Sequence, residues 1–392
     1  MVRTSQAMPL LRPRLRRGMC LRQCTCTGGG VALRSRIAPG ILSGSALLAS
    51  LACAEIAAAQ SSATEVAARR TCQQQEARAF DFWIGEWNVV NRNRPEDDAQ
   101  FAVTGNATDR VYPVVGGCGI VEHWRGDAFG SFIVGFSVRA YDPDTRDWHL
   151  VLLWPITGPS SFLELRGSFH HERGEFFTRR VRSAGDTALT RFTFSDASPT
   201  SLRWDNATSL DGGITWSGNW IMDFTRRDAT AEAGLLNGPT MTVGRCPTAE
   251  HRFFDRYLGE WTGHRTNAAG DSVAVRAHFV RILEGCAIME RAASIDGTWE
   301  SFRVRAWDGT LNRWVEYEMT SERPTLLRRE AVAAEHIVFE PVTSRHGLYS
   351  RTRWTPGEDD TPSWTTEVAS QPAGPWRVEA VVRLDRAVAE VP

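Results

Sequence analysis

Apolar and polar residues alternate with a period of two along much of the chain, as in β-strands that have one buried face. In the stretch SFIVGFSVRAY, Phe132, Val134, Phe136 and Val138 share one face. The stretch WRVEAVVRL near the C-terminus alternates in the same way. Turn signals rich in Asp, Gly and Pro, such as YDPDTRDW and WDGTLNRW, separate these stretches at short intervals. The pattern predicts antiparallel all-β structure, with one helix expected around residues 63–79 and a short helical turn before each Gly-x-Trp.

The chain also repeats itself. FDFWIGEW returns as FFDRYLGEW, VVGGCGIVE as ILEGCAIME, and RAYDPDTRDW as RAWDGTLNRW, at spacings that fall from 174 to 168 to 166 residues. A tandem duplication whose second copy has shorter loops explains this fall. We expect two domains, at residues 72–227 and 246–388, joined by a linker at 228–245. Each copy is long enough to bury its own core, and closure into a barrel would remove the sheet edges.

Residues 1–59 have the pattern of a signal peptide. Arginines precede the apolar run ILSGSALLASLACAEIAAA, which ends on small residues, so we expect cleavage near Ala59. The run has only about 14 uncharged residues against the roughly 20 that span a bilayer, so no transmembrane anchor is expected in the mature form. The sequence thus predicts a soluble periplasmic or secreted protein. Lipidation at Cys53 and a translation start at Met8 or Met19 stay open.

Four cysteines, Cys72, Cys118, Cys246 and Cys286, follow the predicted leader. Cys72 and Cys246 are 174 residues apart, and Cys118 and Cys286 are 168 apart, so the cysteines belong to the repeat. In an exported protein this even number predicts one disulfide in each copy, Cys72 with Cys118 and Cys246 with Cys286. Four free buried cysteines are the alternative.

Charge and missing motifs exclude several functions. Residues 1–59 hold eight of the 45 basic and one of the 46 acidic residues, which leaves 37 and 45 and a net charge of −8. This balance argues against nucleic acid as a partner. The sequence has no lysine, so Schiff-base and phosphate-loop lysines are excluded. Outside the leader there is no His-Glu-x-x-His, Cys-x-x-Cys or Gly-x-Ser-x-Gly motif, and nothing calls for a metal or an organic cofactor.

The repeated blocks carry a resemblance. Gly85-Glu86-Trp87 and Gly259-Glu260-Trp261, each after a short helical lead-in, are similar to the Gly-x-Trp start of lipocalin-like (calycin) barrels. FDFWIGEW, GGCGIVEHW, YDPDTRDWH and SLDGGITW together resemble exported bacterial lipocalin-like proteins whose domain has no known function. The resemblance implies two tandem lipocalin-like antiparallel β-barrels with room for an apolar small molecule. It implies no particular activity.

The duplication also ranks the candidate site residues. Glu122 and Glu290 are matched, as are Arg139 and Arg305, and a bidentate Arg–carboxylate pair would satisfy both charges inside a barrel. These pairs would either brace the barrel or grip the polar end of a ligand.

The first copy adds Trp124 and His149, which have no identical match in the second copy. Asymmetry between copies is where specialisation would show, so the candidate ligand-binding residues of the first copy are Glu122, Trp124, Arg139 and His149. Glu290 and Arg305 are the candidates in the second copy. In the alternative interpretation His149 is exposed or simply hydrogen-bonded, and the apolar face formed by Trp148, Leu150, Leu152 and Trp154 is ordinary core.

Three classes of function remain. The first is an exported, non-catalytic protein that binds an apolar or aromatic small molecule in a barrel cavity. The second is an envelope scaffold that binds partner proteins. The third is a hydratase or isomerase that uses Glu122 as its acid or base.

Overall fold

The computed structural model describes residues 72–94, 100–154, 162–181, 185–227, 246, 248–332, 337–357 and 360–386. The predicted leader, the predicted linker and residues 63–71 of the expected helix lie outside the described residues. The rest of that expected helix contains only a 3-10 turn, Glu76–Arg78. Within the described ranges, no helix has the length and apolar character needed to cross a membrane.

Residues 85–226 form a closed antiparallel barrel of ten strands, barrel 1, in which each strand pairs with the next and the last pairs with the first. Its strands are β1 (Gly85–Asn93), β2 (Ala102–Val114), β3 (Gly119–Ala128), β4 (Ser131–Asp142), β5 (Asp147–Leu153), β6 (Phe162–His170), β7 (Arg173–Val181), β8 (Thr187–Ser195), β9 (Ser201–Ser209) and β10 (Ser217–Arg226).

Residues 259–386 form barrel 2, which has the same strand order and also closes. Its strands are β11 (Gly259–Asn267), β12 (Ser272–Ile282), β13 (Ala287–Ser294), β14 (Glu300–Asp308), β15 (Arg313–Thr320), β16 (Leu327–Ala331), β17 (Ile337–Pro341), β18 (Tyr349–Trp354), β19 (Ser363–Ala369) and β20 (Arg377–Arg386). The predicted fold class, two tandem antiparallel β-barrels, is confirmed.

The repeated Gly-x-Trp motif closes one end of each barrel. A 3-10 helix, Asp81–Trp83 in barrel 1 and Glu250–Tyr257 in barrel 2, precedes the first strand. The indole of Trp87 donates a hydrogen bond to the Trp83 carbonyl (2.8 Å), and that of Trp261 donates to the Tyr257 carbonyl (2.7 Å). The aromatic side chains of this lead-in form an aromatic plug. Its members are Phe80, Trp83 and Trp87 in barrel 1, and Phe254, Tyr257 and Trp261 in barrel 2, all buried.

Both predicted disulfides are present. Cys72 bonds to Cys118 and Cys246 bonds to Cys286, with Cα–Cα distances of 4.9 and 5.0 Å. Each bond joins the segment before the plug to the end of the 3-10 turn between the second and third strands of its barrel, Val115–Gly117 or Leu283–Gly285. The disulfide therefore fixes the lead-in against its own barrel.

The two barrels share an apolar core formed by their outer faces, the interbarrel core. The 3-10 turn Val115–Gly117 contacts β14, and its counterpart Leu283–Gly285 contacts β4, so each barrel uses the same part of its surface. Strands β4 and β15 are consequently buried on both faces. The interbarrel core consists of Tyr112, Val114, Val115, Val121, Val134, Phe136, Val138, Ala140, Val151 and Leu153 of barrel 1, of Ile282, Leu283, Ala287, Met289, Phe302, Val304, Ala306, Val315, Tyr317, Met319 and Leu326 of barrel 2, and of the four disulfide cysteines.

Replacing Met319 by Ala should weaken this core. Met319 is fully buried on β15, and its methyl group lies against Gly119 of barrel 1. Truncating a buried Met leaves a cavity that costs about 2–5 kcal/mol in the free energy of unfolding. Urea unfolding should show this loss for Met319→Ala and little change for Leu311→Ala, a partly exposed turn residue. Equal effects of the two substitutions would contradict the shared core.

Candidate functional site

Four polar side chains form a layer across the interior of barrel 1, directly beyond the aromatic plug. This polar layer consists of Asp109 on β2, Glu122 on β3, and Ser137 and Arg139 on β4, all at most 4% exposed. Glu122 stands opposite Ser137 in the strand register. The Glu122 carboxylate accepts hydrogen bonds from the Ser137 hydroxyl and from Arg139 (3.1 Å). Glu122 is therefore held in place by its neighbours through Oε2.

Arg139 links the polar layer to the plug. Its guanidinium carbon lies 3.9 Å from the Trp83 ring centroid and 4.7 Å from the Phe80 ring centroid. The guanidinium therefore makes cation–π contacts with the plug as well as a hydrogen bond to Glu122. Burial lowers the pKa of Arg139 to about 10, against the opposing effect of Glu122 and Asp109. The guanidinium remains charged at neutral pH and balances one carboxylate.

Asp109 is the second carboxyl group of the layer, and neither of its oxygens has a hydrogen-bond partner within the described structure. Its side chain is 1% exposed. Burial, and secondarily the nearby Glu122 charge, raise the pKa of Asp109 well above its usual value, against the opposing effects of the Arg139 charge and the Arg110 backbone. Buried polar groups in proteins are nearly always hydrogen-bonded, because an unpaired one costs its full desolvation energy. Asp109 is therefore a buried carboxyl group that lacks a hydrogen-bond donor among the described residues.

A cluster of four tryptophans lies on the other side of the polar layer, towards the end of the barrel away from the plug. In this tryptophan cluster, Trp124 lies 5.4 Å from Trp154 and 6.0 Å from Trp220, and Trp204 lies 5.2 Å from Trp220, between ring centroids. The ring of Trp154 fills the space above Gly135, where a Cβ would lie 2.5 Å from it. The Trp124 indole N–H has no partner among the described residues. The four indoles pack against one another and make this half of barrel 1 aromatic.

Barrel 2 holds six buried charged residues at the same depth, three glutamates and three arginines. All six carboxylate oxygens of this charge cluster accept a hydrogen bond from a guanidinium. Burial raises the pKa of Glu318, but Arg303 and Arg329 outweigh it and bring that pKa well below its usual value. The charge cluster is thus electrically balanced and self-contained. It comprises Glu290, Arg303, Arg305, Glu316, Glu318 and Arg329.

The strand registers show how the two interiors diverged. Glu122 and Arg139 of barrel 1 correspond to Glu290 and Arg305 of barrel 2. The other positions of the charge cluster are Leu or Ser in barrel 1. In the opposite direction, the positions of Asp109 and Trp124 are alanines in barrel 2. Compared with barrel 2, barrel 1 therefore lacks a balanced set of four charges and has an additional carboxyl group and an additional indole. The exchanged pairs are Asp109 and Ala277, Trp124 and Ala292, Ser137 and Arg303, Leu150 and Glu316, Leu152 and Glu318, and Leu165 and Arg329.

The structure brings three of the predicted site residues together and separates the others. Glu122, Trp124 and Arg139 share the interior of barrel 1, whereas Glu290 and Arg305 lie inside barrel 2. In each Glu–Arg pair the arginine Nη2 donates one hydrogen bond to the glutamate Oε2, in place of the expected bidentate contact.

His149 does not reach this site. It lies on the outer face of β5, where its Nε2 is 2.9 Å from Glu164 Oε2. The other Glu164 oxygen accepts hydrogen bonds from Tyr317 (2.5 Å) and Arg328 (2.6 Å) of barrel 2. Because residues alternate along a strand, His149 points away from Trp148 and Leu150 and towards the second barrel. Its position fits a role in joining the barrels.

Sequence reasoning missed Asp109 and the full tryptophan cluster. Asp109 alternates with Ala107 and Val111, so a single acid on an otherwise apolar face was the available signal. Trp204 and Trp220 come from strands distant in sequence, and only barrel closure brings them to Trp124.

No family model matches this sequence, and no curated protein matches it. The structure is similar to that of a protein of unknown function from the DUF3598 family of Nostoc punctiforme, with a TM-score of 0.24 and 9% identity over 80% of this chain and 100% of that chain. It is also similar to the S-type phycobiliprotein lyase of Guillardia theta, with a TM-score of 0.27 and 13% identity over 40% of this chain and 99% of that chain. Likenesses this distant carry no argument about what this chain binds.

The charge cluster should be essential for the stability of barrel 2. Glu318→Ala would leave Arg303 and Arg329 short of a partner away from water, which costs about 3–5 kcal/mol. Glu340→Ala removes a half-exposed partner of Arg351 and should cost at most about 1 kcal/mol. Urea unfolding of both variants tests the contrast, and a loss below about 1 kcal/mol for Glu318→Ala would refute it.

Acid should weaken the Glu164 contact between the barrels. Although burial raises it, hydrogen bonds from His149, Tyr317 and Arg328 lower the pKa of Glu164 from 4.5 to about 2. A lowered native pKa means that the unfolded chain takes up the proton first, so the stabilisation is complete above about pH 5 and lost as the pH falls towards 2.

The test compares the free energies of unfolding of the wild type and Glu164→Gln between pH 2 and 7. Their difference should be largest at pH 5–7 and should shrink towards zero near pH 2. Glu175→Gln, at a partly exposed pair with Arg173, should show a small difference throughout. A Glu164→Gln difference that is independent of pH would contradict the assignment.

Proposed function

We propose that barrel 1 binds a small apolar or aromatic molecule between its tryptophan cluster and its polar layer. The observation that carries this proposal is the buried Asp109 carboxyl group, whose oxygens have no hydrogen-bond partner among the described residues. In barrel 2, by contrast, every carboxylate oxygen of the charge cluster accepts a hydrogen bond. A bound molecule with a hydrogen-bond donor would complete the site.

The tryptophan cluster supports the same reading. Four indoles at one end of a barrel offer stacking surfaces to a flat apolar molecule, and the unpaired indole N–H of Trp124 adds one polar contact. Trp154 is half-buried at the end of β5. Its side chain is the part of the cluster that would move to admit a ligand, since it fills the space above Gly135.

Barrel 2 has a supporting role in this proposal. Its charge cluster fills the interior that corresponds to the polar layer, and its outer face buries half of the interbarrel core. One copy of the duplication thus keeps a ligand site and the other stabilises it.

The protein would act outside the cytoplasm. Two disulfides form and persist in oxidising compartments, and the leader predicted at residues 1–59 would provide export to the periplasm or the medium.

Ligand binding is tested on the protein purified after expression of the full chain. Native mass spectrometry should detect a bound small molecule at one per chain, and extraction should identify it. The wild type should also bind members of a panel of aromatic compounds, measured by quenching of tryptophan fluorescence. A protein that carries no adduct and shows no quenching by the panel would contradict the proposal.

A pair of tryptophan variants locates the site. Trp124→Leu, in the proposed site, should lower the affinity for the bound compound by about tenfold through lost stacking. Trp364→Leu, which truncates an equally buried tryptophan of barrel 2, should leave the affinity unchanged. Circular dichroism confirms folding of both variants, and equal affinities in both would place the site elsewhere.

A further inference from the structure

We infer that the ligand of barrel 1 is a cation, an arylalkylamine whose ammonium group pairs with Asp109 while its ring stacks in the tryptophan cluster. This inference rests on the proposed function and adds the chemical class of the ligand.

Barrel 2 provides the internal reference for the argument. It buries three carboxylates against three guanidinium groups, and each carboxylate oxygen accepts a hydrogen bond from one of them. A buried ion is costly in either barrel unless it is paired and hydrogen-bonded. Barrel 2 therefore holds the acids of its charge cluster by matching them with cations.

When both of its carboxyl groups are ionised, the polar layer of barrel 1 is one positive charge short of this balance. Arg139 is the one cation of the polar layer. Its Nη2 donates to Glu122 and Ser137 and its guanidinium stacks on Trp83, while its Nε and Nη1 have no partner among the described residues. No hydrogen bond joins Arg139 to Asp109. The direct neighbours of Asp109 across the sheet are Trp87 on β1 and Trp124 on β3, neither of which can supply a charge.

The surroundings of Asp109 suit an organic ammonium group. A carboxylate beside indole faces combines a charge-assisted hydrogen bond with cation–π attraction, and both favour a cation attached to an apolar body. An anionic ligand would instead be repelled by Glu122, and also by Asp109 whenever Asp109 is ionised. Across the part of the chain that the structure describes, no group of three metal-binding side chains is present, so the site does not resemble a metal centre.

Matched compounds test the charge of the ligand directly. Benzylamine, tryptamine and 1-pyrenemethylamine cover three ring sizes, and each has an alcohol and a carboxylic acid of closely similar shape. With the full-chain protein, titration calorimetry and tryptophan quenching should show that at least one amine binds about tenfold more tightly than its alcohol, because a charge-assisted bond is about twice as strong as a neutral one. The acids should bind more weakly still.

Two carboxyl-to-amide variants assign the preference to one residue. Asp109→Asn should reduce amine binding by about tenfold and leave alcohol binding within about threefold, since the amide keeps the shape and loses the charge. Asp205→Asn, a carboxyl group on the outer face of the same barrel that pairs in register with Thr193, should leave the preference intact. The wild-type comparison of amine with alcohol needs no variant, so it stands even if Asp109→Asn fails to fold.

The outcomes separate this inference from the proposed function. Alcohols or acids that bind as tightly as the amines, with loss of affinity in Trp124→Leu, would overturn the cationic ligand and leave the binding site standing. An amine preference that survives in a folded Asp109→Asn protein would overturn the role of Asp109. Failure of every amine, alcohol and acid to bind would count against both proposals.

Discussion

A charged side chain inside a closed barrel can pair only with groups inside the same barrel, because no strand edge or solvent reaches it. This constraint organises both halves of the protein. In barrel 2 it is met completely by the charge cluster, in which three arginines and three glutamates bond to one another. In barrel 1 it is met for Glu122 through Arg139 and Ser137, and it is unmet for Asp109. The proposal that barrel 1, and not barrel 2, binds a ligand follows from this one unmatched carboxyl group.

The interbarrel core adds a second constraint. Strands β4 and β15 are buried on both faces, so their inward residues belong to a barrel interior and their outward residues to the shared core. A substitution on either face of such a strand therefore disturbs close-packed side chains. Docking two barrels in this way gives the first barrel a rigid wall on the side that carries Ser137 and Arg139. The tryptophan cluster lies at the end of this barrel away from the plug.

Duplication explains how one copy could change while the other did not. The matched elements, the aromatic plug, the disulfide and the Glu–Arg pair below the plug, perform the same structural work in each barrel. The positions that differ between the two barrels lie in the interior, farther from the plug. Barrel 1 has leucines where barrel 2 has Glu316, Glu318 and Arg329, and a serine where barrel 2 has Arg303. Two acids and two bases are therefore exchanged together, which avoids leaving any one of them unpaired.

The sequence by itself determined the β-class, the duplication, the disulfide pairs and the matched Glu–Arg pairs, because alternation, spacing and repeated blocks are local properties of the chain. It could not tell which face of SFIVGFSVRAY points inward. Val134, Phe136 and Val138 form the more apolar face, yet they lie outside the barrel against its partner, and Ser137 and Arg139 line the interior. The same ambiguity hid the position of His149 between the barrels and the isolation of Asp109 inside one. Only the tertiary structure decided these points, because barrel closure and barrel docking set which groups share a buried space, and pairing of buried charges is a property of that space.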